Sequence, residues 1–230
     1  MNDPRYEALL PFLSAERVRK FEEVLAFRTR KLCLVLENIY QSRNASAVMR
    51  TCDGLGIQDV HLVESVNPWV FNRAVSKGTP AWLSLHRYKH PERGAQNCIQ
   101  ALKSKGYRLA VTSPHLDGKQ PHELPVDEPL ALIMGTESSG VSEHMLDAAD
   151  YHVYIPMHGF AESLNISVAA GIVMSRILEN LRRRPRAAWQ LTEEEAHALK
   201  TEWAIKSVRK ADQLLKHLGV TPTSGSLLRK

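Results

Sequence analysis

The feature that most constrains this chain is a rhythm in which short apolar runs with strand-like composition alternate with stretches of helical periodicity. The runs are "LCLVLEN" (32–38), "DVHLVES" (59–65), "LSLHRY" (83–88), "YRLAVTS" (107–113), "LALIMG" (130–135) and "YHVYIP" (151–156). Between and after them the spacing predicts helices over about 45–54, 92–105 and 142–149, and a long one from Ser163. Strands joined through helices pair in parallel, because the crossover helix carries the chain back to the starting edge. The expected fold is therefore α/β, a mostly parallel sheet with helices on both faces. Residues 1–25 read as an N-terminal helical extension, 26–186 as the α/β domain, and 187–230 as a basic C-terminal helical extension that opens on a Thr192 cap and an acidic first turn.

With 43% hydrophobic residues, 230 residues suffice for one substantial core. No apolar run is long enough to span a membrane, and "MNDPRYEALL" lacks the basic-then-apolar pattern of a signal peptide, so a cytoplasmic protein is expected. Cys33, Cys52 and Cys98 are scattered, with no CxxC, Cys/His cluster or HExxH, so neither a disulfide framework nor a metal site is expected. The net charge is +5, and its distribution says more than its size. Basic residues gather near the N-terminus (Arg17, Arg19, Lys20, Arg28, Arg30, Lys31), at "RRRPR" (182–186) and along the last helix (Lys200, Lys206, Arg209, Lys210, Lys216). One such cluster is an ordinary solvated helix face; three together point to a phosphate backbone.

Several chemistries fail on spacing. Gly54 and Gly56 follow a helix instead of preceding one, which rules out a Rossmann dinucleotide turn. "GTESSGVS" (135–142) has the glycine spacing of a P-loop, but Val141 stands where the phosphate-binding lysine must be. No G-x-S-x-G elbow is present. The sequons at 44–46 and 165–167 have no use in a cytoplasmic chain.

Three loops remain. In "NASAVMRTCDGL" the apolar Ala45, Val48, Met49, Cys52 and Leu55 share one helix face, while Arg50 is turned by about 200° from Val48 and Cys52, toward solvent, a partner or a ligand. Asn44 reads as the N-cap of that helix. "IMGTESSGVS" places Gly135, Glu137 and Gly140 on a strand-to-helix turn at the C-terminal edge of the sheet, where open α/β folds bind ligands. "IPMHGFAESLNISVA" leaves a strand on the same edge, and its Ser163 reads as a cap of the long helix or as part of a ligand site.

In this order, N-x-x-x-x-x-R, G-x-E-x-x-G and "IPM" followed by "SLNISVA" resemble the three motifs of the SpoU (TrmH) branch of the SPOUT RNA methyltransferases, over residues 30–184. The flanks look like those of the branch members that methylate tRNA guanosine. The resemblance implies a C-terminal deep trefoil knot, S-adenosylmethionine bound in it, a homodimer with the active site beside the interface, and transfer of a methyl group to a ribose 2′-hydroxyl. By this likeness Thr112, Gly135, Ile155 and Leu164 contact the cofactor, Arg50 is the central catalytic residue, and Asn44, Glu137, Ser163 and Asn165 shape the site. The chain departs from the family in lacking the proline usual before the first-motif asparagine; it reads "YQSRN", which leaves Arg43 as an additional RNA contact. The substrate so implied is tRNA, at guanosine 18 of the D-loop. Ribosomal RNA is the alternative, and a catalytically silent RNA-binding module or a P-loop-like hydrolase are the readings from other classes.

Overall fold

The computed structural model describes residues 3–39, 41–65, 78–113, 118–136 and 139–222. The described α-helices and strands, in order, are α1 (Pro4–Leu9), α2 (Ala15–Leu25), β1 (Leu32–Glu37), α3 (Ser42–Leu55), β2 (Asp59–Val63), β3 (Ser84–Tyr88), α4 (Gly94–Lys103), β4 (Arg108–Thr112), β5 (Leu130–Met134), α5 (Glu143–Ala148), β6 (Tyr151–Val153), α6 (Ile166–Arg182), α7 (Glu193–Ser207) and α8 (Ala211–His217). Two compact units result: residues 29–190 form one, and the two chain ends, 1–28 and 191–230, form the other.

In the larger unit six strands form one sheet in the order β3-β2-β1-β5-β4-β6, and every pairing is parallel. All residues of β1, β2 and β5 are buried. That is the pattern of strands covered on both faces, and it explains why β5 and most of β1 read as continuously apolar, while β2 buries Asp59 and His61 among its apolar residues. One face carries Leu34, Leu36, Leu132 and Met134 against Val48, Met49 and Cys52 of α3 and Ala170, Val173 and Met174 of α6. The other carries Cys33, Val35, Ala131 and Ile133 against Cys98 and Leu102 of α4 and Met145 of α5. Each strand thus splits its residues between two cores by the period of two.

Helix starts differ from the sequence expectation. α3 begins at Ser42 with Gln41 in the cap position, so Asn44 lies inside the first turn and is not the N-cap. α6 begins at Ile166, three residues later than expected, and its cap is Asn165, whose side chain accepts the Ser167 N–H; Ser163 is not the cap. "YHVYIP" leaves the sheet after Val153, and the rest of the run becomes loop. The shift has a local reason, because an asparagine side chain can close the first turn at the last point where the chain is still extended.

The smaller unit is helical. Ser14 Oγ accepts the Arg17 N–H at 3.1 Å to start α2, and Thr192 and Glu195 cap α7 reciprocally, at 3.2 Å and 2.9 Å. Its core joins Tyr6, Leu9, Phe21 and Leu25 with Leu199, Trp203 and Leu215, all buried. Phe21 meets Trp203 edge-on at 5.5 Å between ring centroids.

Candidate active site

All six strands run the same way, so the loops after β1, β4, β5 and β6 emerge on one edge. There the loops after β4, β5 and β6 surround a cavity of about 570 Å³. Thr112 at the end of β4, Gly135 just past β5, and Ile155 and Leu164 in the loop after β6 all line it, as does Ser163. The four positions expected to contact a cofactor are therefore brought together around one space. Val153, Ile166, Ala169 and Val173 supply its apolar walls.

The loop after β5 is tied to itself. Thr136 N–H donates to the Gly140 carbonyl at 2.9 Å, Gly140 N–H returns to the Thr136 carbonyl at 3.0 Å, and Thr136 Oγ1 accepts the Ser139 N–H at 2.9 Å. Two glycines make this closure possible for different reasons. Gly140 has φ of 66°, a left-handed conformation. Gly135 sits so close to the returning strand of the loop that an added Cβ would lie 1.9 Å from the Gly140 carbonyl oxygen. Glu137 lies outside the described residues.

The loop after β6 ends at Asn165, and here the first and third motifs meet. Asn165 Oδ1 accepts from the Ser167 N–H at 2.9 Å and from Ser167 Oγ at 2.6 Å. Its Nδ2 faces Asn44 Oδ1 at 3.4 Å, and Asn44 Nδ2 donates to Gln41 Oε1 at 3.2 Å. α3 and α6 run side by side from this point: Cys52 Sγ lies 3.7 Å from Met174 Sδ, and Arg182 donates to the Leu55 carbonyl at 2.6 Å. The apolar face predicted for α3 is buried at Ala45, Val48, Met49 and Cys52. Arg50 is exposed, as its angle on the helix requires, and is not among the cavity's lining residues. Sequence reasoning missed Ser113, Tyr154, Met157 and Glu162, which also line the cavity; Ser113 and Tyr154 adjoin strand ends, and Met157 and Glu162 lie within the third-motif stretch, which were their only signals.

This site lies in a stretch matched by a known family. The model of the SpoU rRNA Methylase family matches residues 31–175, which include all six strands and the first turns of α6. The chain belongs to the SpoU rRNA methylase family. This SpoU chain is 41% identical to the tRNA (guanosine(18)-2′-O)-methyltransferase of Borreliella burgdorferi over 78% of its own length and 80% of that protein's. It is 34% identical to the enzyme of the same name from Thermus thermophilus, over 74% and 88% of the two chains. Among solved structures it is similar to the TrmH/SpoU tRNA modifying enzyme of Aquifex aeolicus, with a TM-score of 0.74 and 27% identity, covering 85% of this chain and 98% of that one.

Proposed function

We propose that the protein is an S-adenosylmethionine-dependent ribose 2′-O-methyltransferase whose substrate is tRNA, at guanosine 18 of the D-loop. The observation that carries the reading is the gathering of all four expected cofactor positions around one cavity, in a chain 41% identical to a protein named for that activity. Ribosomal RNA is the second reading, favoured by the family's own description.

The cavity suits the cofactor. Its volume of about 570 Å³ falls within the roughly 300–1,000 Å³ usual for small-molecule sites. Ile155, Leu164 and Val173 offer apolar surface to an adenine ring, Ser113, Thr136 and Ser163 offer hydroxyls, and Glu162 offers a carboxylate to a cationic group. Bound there, S-adenosylmethionine supplies an electrophilic methyl group. A ribose hydroxyl is a weak nucleophile and must lose its proton as it attacks. The Arg50 guanidinium stays protonated in proteins and is a poor base. Being exposed and outside the cavity, Arg50 suits a bidentate grip on an RNA phosphate, which orients the hydroxyl so that it sheds its proton to solvent as the methyl group is transferred. Asn44, Asn165 and Ser163 orient the ribose. Glu137 orders its loop; an ordinary carboxylate is too acidic to serve as an efficient base. Arg43 adds a second phosphate contact seven residues before Arg50, on nearly the same side of α3.

The finer architecture belongs to the same reading. The C-terminal trefoil knot implied by the family likeness belongs to it; in that region Lys119 pairs with Val153 of β6, and a Cβ at Gly118 would lie 2.3 Å from the His152 carbonyl oxygen. A homodimer is supported by Val168 and Ile172 of α6, which are 50% and 38% exposed. Residues 26–186 form the catalytic domain, with 1–25 and 187–230 as RNA-gripping extensions. Cys33, Cys52 and Cys98 are free thiols, which suits the reducing cytoplasm.

The test is incubation with labelled S-adenosylmethionine and separate pools of unmodified tRNA and ribosomal RNA, followed by nucleoside analysis. The expected product is 2′-O-methylguanosine in tRNA. Label confined to ribosomal RNA moves the substrate, and label in neither pool overturns the activity.

A further inference from the structure

Glu37 is the last residue of β1 and only 2% exposed. By the alternation of the strand it shares the face of Cys33 and Val35, pointing into the core between the sheet and α4 and α5. A carboxylate in such a place is expensive unless hydrogen bonds compensate it. Among the described residues no basic side chain pairs with it. Its Oε2 accepts instead the backbone N–H of Ser142 at 2.7 Å, across 105 positions of sequence.

Ser142 is where the second-motif loop ends and α5 begins. On its other side the loop leaves β5 one step beyond the Leu36–Met134 pair, the last rung of the β1–β5 register. Between those points its hydrogen bonds close on itself through Thr136, Ser139 and Gly140. Among the described residues Ser142 Oγ is buried without a hydrogen-bond partner, so the anchorage at Ser142 falls on its N–H. Gly135, Gly140 and Val141, which this anchorage holds in place, wall the cavity, whereas Glu37 does not line it.

We propose that Glu37 is a positioning residue for the cofactor site: its carboxylate braces the second-motif loop against the first strand and so sets the cavity wall without touching the cofactor. This rests on the reading of the cavity as the S-adenosylmethionine site. Charge-assisted bonds to a backbone N–H are stronger than neutral ones, so a neutral acceptor replaces this one only in part.

The experiment compares Glu37→Gln, which keeps an acceptor oxygen, with Glu37→Ala, which removes it, by calorimetric binding of S-adenosylmethionine and by steady-state kinetics with tRNA. Glu37→Ala raises the cofactor Kd and KM about tenfold, the equivalent of one charge-assisted hydrogen bond, with a smaller change in kcat. Glu37→Gln recovers most of that loss. Ser142→Pro provides an independent route, because φ of −67° at Ser142 already suits proline and the substitution removes the N–H while leaving Glu37 intact. It raises Kd and KM as Glu37→Ala does. Variants that melt earlier yet bind the cofactor as the wild type does overturn the brace. Wild-type protein that binds no S-adenosylmethionine overturns the cofactor reading and the brace together.

Discussion

Asn165 reaches across 3.4 Å to Asn44, joining the first turns of two helices whose residues stand 121 positions apart. The same Asn165 side chain caps its own helix through the Ser167 N–H. One residue therefore starts α6 and ties it to α3, so the third motif is placed relative to the first by a side chain that is also structural.

These two duties separate by mutation. Asn165→Ala loses a cap and lowers stability by about 1 kcal/mol, with a loss of turnover. Asn44→Ala leaves stability within about 0.5 kcal/mol, because Asn44 is not the N-cap of α3, and still lowers kcat. Denaturant melts and methyl-transfer assays on the two variants decide the matter; full turnover in Asn44→Ala removes the pair from the site.

Arg50→Ala is expected to leave S-adenosylmethionine binding unchanged, since Arg50 does not line the cavity, and to lower kcat by about a hundredfold, as misplacing a reacting group does. Arg50→Lys restores charge but not the planar fork, and recovers little. Calorimetry beside single-turnover kinetics checks both halves.

Glycine matters at some positions and not at others. Gly135→Ala drives a Cβ into the Gly140 carbonyl, and cofactor affinity falls with the wall that moves. Gly54→Ala has open space around it near the end of α3 and stabilises by up to about 1 kcal/mol. Chemical denaturation and cofactor titration of the two proteins should move in opposite directions.

Stability should fall between pH 6.5 and 4. Burial, reinforced by the neighbouring His86, holds the His61 imidazole at about 3, far below its ordinary 6.5. Below pH 6.5 the unfolded chain takes up a proton that the native state refuses, so stability is lost as pH drops, by up to about 1.4 kcal/mol per unit. Asp59 is also held below its ordinary value. Burial alone would raise it, but the His86 hydrogen bond and the Arg30 charge outweigh burial and hold it below 3.8, so its contribution disappears only in stronger acid. Urea unfolding of wild type and His61→Phe at pH 7, 5.5 and 4.5 should show the shallower dependence in the variant; equal slopes refute the assignment.

Paired glutamates at Val168 and Ile172 place charge on the exposed apolar face of α6 without touching its buried side. Sedimentation should show a dimer for the wild type and a monomer for the double variant, with unchanged helical circular dichroism. A wild-type monomer would dispose of the dimer.

What the sequence determined by itself was the sheet and the composition of its ligand-binding edge. Runs such as "LCLVLE" and "LALIM" are buried on both faces, so burial and local pattern carry the same message. The spacing of glycines and polar residues after each strand led, through the family resemblance, to Thr112, Gly135, Ile155 and Leu164, which do surround one cavity. Tertiary structure decided the rest. Ser163, Asn165 and Asn44 are all acceptable caps by residue type, and the path of the loops chose among them. The Asn44–Asn165 contact and the Glu37–Ser142 bond join segments more than a hundred residues apart, and a local pattern carries no record of such partners. The union of the two chain ends in one helical unit is of the same kind. Periodicity reports which face of an element is buried; what it is buried against is settled only when the chain has folded.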